Sequence, residues 1–113
     1  MNNLRNRVQL IGRVGTEPEI RTVAKGKTFA RLNLATNETY INNNGERVTE
    51  TQWHNLVAWD KNAILIQKYL RKGQEVAIEG KLTSRNYQDK EGVKRYITEV
   101  IVHELLLLGG KKE

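Results

Sequence analysis

Cysteine is absent from this chain of 113 residues, and serine and proline occur once each. That excludes disulfides and thiolate metal sites, and it is compatible with a reducing cytosol. Catalytic groups are scarce too: two histidines (His54, His103), two aspartates (Asp60, Asp89) and the single Ser84. Ser84 falls on a strand-like stretch, without the turn context that exposes a serine nucleophile. There is no HExxH, no GxGxxG and no glycine loop leading into Lys-Ser/Thr. The inventory argues against an enzyme, and no catalytic residue, metal ligand or cofactor is assigned. No apolar run exceeds four residues, as at Leu105–Leu108, against the ~20 that span a bilayer. Met1–Arg7 lacks the apolar stretch of a secretory signal. A cytoplasmic location is therefore expected.

Hydrophobic residues make up 38% and charged residues 28%, which fits one domain with a modest core. Its expected span is residues 1–108, followed by a short flexible polar end over 109–113. Lys and Arg outnumber Asp and Glu by 19 to 13, a formal charge of +6. That excess favours an anionic partner, either a nucleic acid or an acidic membrane surface.

Alternation marks the strands. Arg7 to Val14 places Val8, Leu10, Gly12 and Val14 on one face, and Gly15-Thr16-Glu17-Pro18 ends it. Glu19 to Val23 reads as a short extended piece and Lys25-Gly26-Lys27 as a basic turn. A long strand from Thr28 to about Tyr40 buries Ala30, Leu32 and Leu34. Asn42-Asn43-Asn44-Gly45 is the clearest hairpin turn, because Asn and Gly tolerate positive φ. The chain then returns through Thr49 to Trp59. Asp60 is placed to cap a helix over Lys61 to about Leu70, with Gly73 placed to end it. Glu75 to Tyr87 forms the next strand, bent or bulged at Gly80. Asp89-Lys90-Glu91-Gly92 turns into the last strand, Arg95 to Leu107. Its inward series is ambiguous, since Ile97, Val100, Ile101, Val102 and Leu105 occupy both parities. Burial of both faces against another subunit would explain that. Five strands with one helix between the third and fourth predict an all-β OB-fold, a five-stranded Greek-key barrel. A five-stranded barrel of another kind remains open.

Trp53 and Trp59 are the only tryptophans, six residues apart on one strand. An even separation puts both on one face, roughly 20 Å apart. Their companions Thr49, Thr51, Asn55 and Val57 are mostly polar, which suggests a platform for stacking bases. The competing reading makes both rings core and reverses the faces; this strand alone supports either.

Several segments bear a family likeness: Gly12–Glu19, Leu34-Ala35-Thr36-Asn37-Glu38, Thr51-Gln52-Trp53-His54, Tyr69–Gly73, Ile78–Leu82 and Tyr96–Val100. In that order they closely resemble bacterial single-stranded DNA-binding proteins, collinearly from about Leu4 to Leu107. The resemblance implies base stacking on Tyr40, Trp53, Trp59 and Tyr87. The first and last are commonly tryptophan in the family, so the smaller tyrosine ring implies weaker contact there. It also implies a homotetramer, with a dimer as the alternative, and a structural place for His54 near a subunit contact. Family members typically continue into a flexible linker and an acidic tip that recruits replication and repair enzymes. That tip is expected to be absent here, given the ending Gly109–Glu113. Glu17 stands where the family usually has Asp, a small change in turn chemistry.

Tyr69 and Tyr96 read as packing residues instead, the first by its helical spacing from Ile66, the second by its strand. Among nineteen basic residues, Arg31, Lys61, Arg71, Lys72, Lys81 and Arg85 are favoured for phosphate contact. They lie near the aromatic strands or at the helix ends, where releasing counterions would make affinity fall with salt. The expected function is binding single-stranded DNA with little sequence preference during replication, recombination and repair, in a nucleoid-associated bacterial setting. Three rivals remain. A primosome-type accessory OB protein would be dimeric and would recover helicase-loading proteins. An RNA-binding OB module would prefer RNA in competition. An interaction subunit would bury its aromatics against protein and ignore nucleic acid. An OB-fold nuclease is disfavoured by the lack of an acidic metal cluster.

Overall fold

The alternating segments close into a barrel in the computed structural model, which describes residues 5–108. The expected flexible end, 109–113, lies outside the described residues, as do the first four. Six strands form: β1 (Val8–Val14), β2 (Glu19–Thr22), β3 (Thr28–Ile41), β4 (Arg47–Trp59), β5 (Glu75–Gln88) and β6 (Lys94–Leu107). They lie in the order β1-β5-β6-β4-β3-β2, and β1 also pairs with β3, closing five of them into a barrel. Glu19–Thr22 becomes a strand by pairing with Thr28–Arg31. The one α-helix among the described residues, α1 (Asp60–Tyr69), therefore sits between the fourth and fifth of these six strands. The architecture is the expected OB-fold.

Parity decides the core. Leu32, Leu34, Leu56, Ala58, Val76, Ile78, Val100 and Val102 point inward and are buried. Each large aliphatic among them is worth about 1.5–3 kcal/mol when removed from water. Ala63, Ile66 and Leu70 complete the core from the helical side. Tyr69 falls outside that stripe and is exposed, so its assignment to the core is corrected: Leu70 takes the inward position.

The helix ends also differ from expectation. Asp60 adopts φ 54° and makes no side-chain cap bond, because Trp59 occupies the cap position. The helix stops at Tyr69, before Gly73, and Leu70 N donates to Ile66 O at 3.0 Å. Gly73 serves the following turn, where its N–H donates to Val14 O at 2.7 Å. This ties the helix exit to the end of β1.

Gly80 resolves the ambiguity of the last strand. The β5–β6 register shifts between Glu79 and Gly80: Glu79 faces Glu104, whereas Gly80 faces Val102. One extra residue on β6 reverses its parity, as a bulge must. Val100, Val102 and Leu105 can thus all point inward without a second subunit, leaving Ile97 and Ile101 on the outer face. A Cβ on Gly80 would lie 1.9 Å from Ile101 O, so only glycine allows this close approach.

Both long hairpins turn by one device. The Asn42 side-chain oxygen accepts from the N–H groups of Asn44 and Glu46, each at 2.9 Å, with Gly45 at φ 79°. Asp89 does the same for Glu91 and Val93, each at 2.9 Å, with Gly92 at φ 81°. No helix among the described residues is long and apolar enough to cross a membrane.

Candidate nucleic-acid interface

The outer face of β3, β4, β6 and β5 carries the candidate site. Pairing across β3–β4 sets Phe29 opposite Trp59, Arg31 opposite Val57 and Ala35 opposite Trp53. The indoles are 61% exposed at Trp53 and 42% at Trp59, whereas Leu56 and Ala58 on the opposite parity are buried. The reading of both tryptophans as core is therefore excluded. Trp53 rests on bare backbone: a Cβ at Gly15 would lie 2.3 Å from its Cζ3. Trp59 packs against Phe29 with ring centroids 4.6 Å apart and planes tilted by 53°. The Arg31 guanidinium sits 5.4 Å from the Phe29 centroid, within cation–π range.

β4 and β6 pair only at Leu56–Val100 and Val57–Ile101. Beyond this short parallel ladder the two hairpins leave a groove made of two adjoining concavities. One, of about 410 Å³, is lined by Phe29, Arg31, Trp59, Arg85, Glu99 and Ile101 among others. Its neighbour, of about 340 Å³, is lined by Arg31, Asn55, Arg85, Tyr87, Ile97 and Glu99. Arg31, Arg85 and Glu99 are common to both. Arg85 donates from Nε to Glu99 Oε1 at 3.2 Å and from Nη2 to Oε2 at 3.3 Å. Arg31 Nη2 stands 4.0 Å from Glu99 Oε2. Glu99 is only 4% exposed, and its two arginine neighbours offset the cost of a buried charge.

The expected site residues divide into groups. Trp53, Trp59, Arg31, Arg85 and Tyr87 share the outer face, and so does Lys81, paired with Ile101 two positions before Thr83. Tyr40 is exposed but takes the other parity of β3. It lies with Glu38 and Glu50, and its hydroxyl donates to Glu50 Oε2 at 3.4 Å. Lys61 borders a separate concavity with Ile64, Leu65 and Lys68. Arg71 Nη1 caps helix-end carbonyls, donating to Leu70 O at 2.8 Å and Gln67 O at 3.1 Å. Lys72 lies in the adjoining turn, where its backbone N–H donates to Glu17 Oε2 at 3.3 Å. Among the described residues, Lys61, Lys72 and Lys81 form no ion pair within 4.0 Å.

Sequence reasoning missed three residues. Phe29 could have been found, because its parity opposes Ala30 and Leu32. Tyr96, read as packing, is 71% exposed. It sits opposite Asn86 near the hairpin tip, where inward parity no longer meets a core. Glu99 gave no usable signal, since its arginine lies on another strand. His54 points inward, half-buried, with Nε2 2.9 Å from Thr36 Oγ1.

Comparison with known proteins identifies the family of the chain. A single-stranded DNA-binding protein of Neisseria meningitidis serogroup A is 41% identical over 108 residues, 96% of this chain and 62% of the relative. Single-stranded DNA-binding protein 1 of Xylella fastidiosa is 38% identical over 109 residues, 96% of this chain and 80% of the relative. This chain therefore spans less than two thirds of the length of the Neisseria protein. A solved Plasmodium falciparum SSB complex with ssDNA superposes with a TM-score of 0.84 at 39% identity, covering 92% of this chain and 95% of that one. The model of the Single-strand binding protein family matches residues 5–108. The chain belongs to the single-strand binding protein family.

Proposed function

We propose that this protein binds single-stranded DNA with little sequence preference, holding unpaired strands during replication, recombination and repair, and that it does so without catalysis. The observation that carries this reading is the exposed Trp53, together with the Trp59–Phe29 pair, on one outer sheet face that also carries Arg31, Arg85 and Lys81. A flat ring accepts any base, since every base has a π-face, and each stacked base is worth about 1–3 kcal/mol. The P. falciparum relative in complex with ssDNA supports the same ligand. Tyr87 extends the track along β5, while Tyr40, set among acids on the other parity, makes a smaller contribution. The protein works in the bacterial cytoplasm, associated with the nucleoid.

A homotetramer is part of this proposal, because one small barrel offers a short track. Exposed Ile11 and Leu106 support it as apolar surface outside the groove. Light scattering tests it: four times the 13.0 kDa chain mass is expected, and a monomer would overturn it. Ligand class is tested by competition on a gel. Unlabelled oligo-dT should displace labelled oligo-dT far better than duplex DNA or an RNA of equal length. Equal displacement by duplex would refute stacking on unpaired bases, and better displacement by RNA would reassign the ligand.

A further inference from the structure

We propose that Glu99 is a positioning residue that occupies the Nε–Nη2 edge of Arg85 and offsets the charge of Arg31 beside it, making this stretch of the groove a stacking surface rather than a phosphate clamp. The inference rests on the single-stranded DNA reading and deepens it. Arginine holds a phosphate through paired, parallel N–H donors. In Arg85 the Nε and Nη2 donors are already turned onto the two oxygens of Glu99, at 3.2 and 3.3 Å. Arg31 lies close to the same carboxylate without a hydrogen bond to it. Its guanidinium lies over Phe29, its Nη2 stands 4.0 Å from the same carboxylate, and its buried Nε has no partner.

An approaching phosphate would have to compete with Glu99 for the Nε–Nη2 edge of Arg85, and elsewhere on the pair it would meet the carboxylate's opposing charge. Glu99 is 4% exposed, and a carboxylate stripped of its arginine at that depth has no water to replace it. Glu99 therefore keeps its partners, and the trio presents a net charge of one rather than two. The two concavities that share these residues are flanked by Trp59 with Phe29 on one side and Tyr87 on the other. Bases enter there, while phosphates are drawn to cations without an internal partner, Lys81 foremost. The carboxylate thus lowers both the electrostatic share of binding and its sensitivity to salt.

The test measures oligo-dT affinity of the full chain across a salt series, for the parent and for Glu99→Gln. The amide keeps the shape and one acceptor but removes the charge. Each additional phosphate neutralised steepens the log affinity–log salt slope by about 0.7 on a single strand. Releasing one or both arginines should therefore multiply the affinity lost between 50 and 200 mM salt by about 2.6-fold to about 7-fold. Tighter binding than the parent at the low-salt end is also expected. A folded E99Q protein with the parent's slope, or a shallower one, overturns the proposal. If E99Q does not fold, Arg85→Gln decides: an unchanged slope supports the proposal, and a slope shallower by about 0.7 shows Arg85 already on a phosphate. Absence of parent binding at low salt would instead overturn the DNA reading itself, and this inference with it.

Discussion

Trp53 owes its placement to a residue without a side chain. Its ring lies where a Cβ on Gly15 would sit, 2.3 Å from Cζ3. Gly15→Ala should push the indole off its seat and weaken oligo-dT binding in the same direction as Trp53→Ala, but by less. Trp53→Ala and Trp59→Ala should each cost about 1–3 kcal/mol of affinity, read by titration at fixed salt. Neither replacement should shift the thermal midpoint as a core truncation would, because both rings are substantially exposed. Strand parity made the tryptophan pair legible in the sequence. It also made Phe29 legible in principle, as the outward residue before Ala30. Glu99 was not legible, because its role depends on Arg85, reached across a ladder where Thr83 faces Glu99. No local pattern reveals that pairing.

Among the elements, β5 and β6 carry the most consequential irregularity. The shift at Gly80 lets one strand bury Val102 and pack Leu105 partly against the core while setting Ile97, Glu99 and Ile101 outward. Gly80→Ala would drive a methyl into Ile101 O, and overpacking of this kind costs about 1–3 kcal/mol, or more against rigid backbone. A lower midpoint in urea with an unchanged m-value checks it. The sequence marked a bend at Gly80 but not which neighbour would carry the extra residue, so the inward series of β6 stayed ambiguous. Strand limits and both hairpin turns were legible to within a residue or two, since side-chain oxygens and positive-φ glycines are local signals. The helix cap was not, because Asp60 follows the last residue of β4 directly and is itself the first helical residue, which leaves the cap position to Trp59.

The β5–β6 turn also carries a pH signature. The Asp89 carboxyl is held below its ordinary value of 3.8, first by Arg95 and then by the N–H of Val93. A lowered carboxylate contributes fully above its unfolded value and is lost as pH falls through the folded one. Turn order should therefore persist at neutral pH and decay only below about 3.8. An NMR titration of Asp89 should give a midpoint under that value. Salt should blunt the effect, since the site is exposed.

At the scale of the whole molecule, the barrel is a frame that keeps large rings on its outside. Among the described residues thirteen buried ones form one core, while both tryptophans and Tyr87 stay exposed on a chain of formal charge +6. On the proposed reading, a charge excess spread over the surface would give attraction without sequence choice, and the rings would give grip. Affinity should therefore fall with rising salt yet level off above zero, where stacking alone remains. The most direct measurement is tryptophan fluorescence of the intact protein titrated with oligo-dT at low salt. Bases laid on Trp53 and Trp59 should quench it strongly and saturably. Emission that stays constant while the oligonucleotide demonstrably binds would mean the strand runs elsewhere, and would contradict the account.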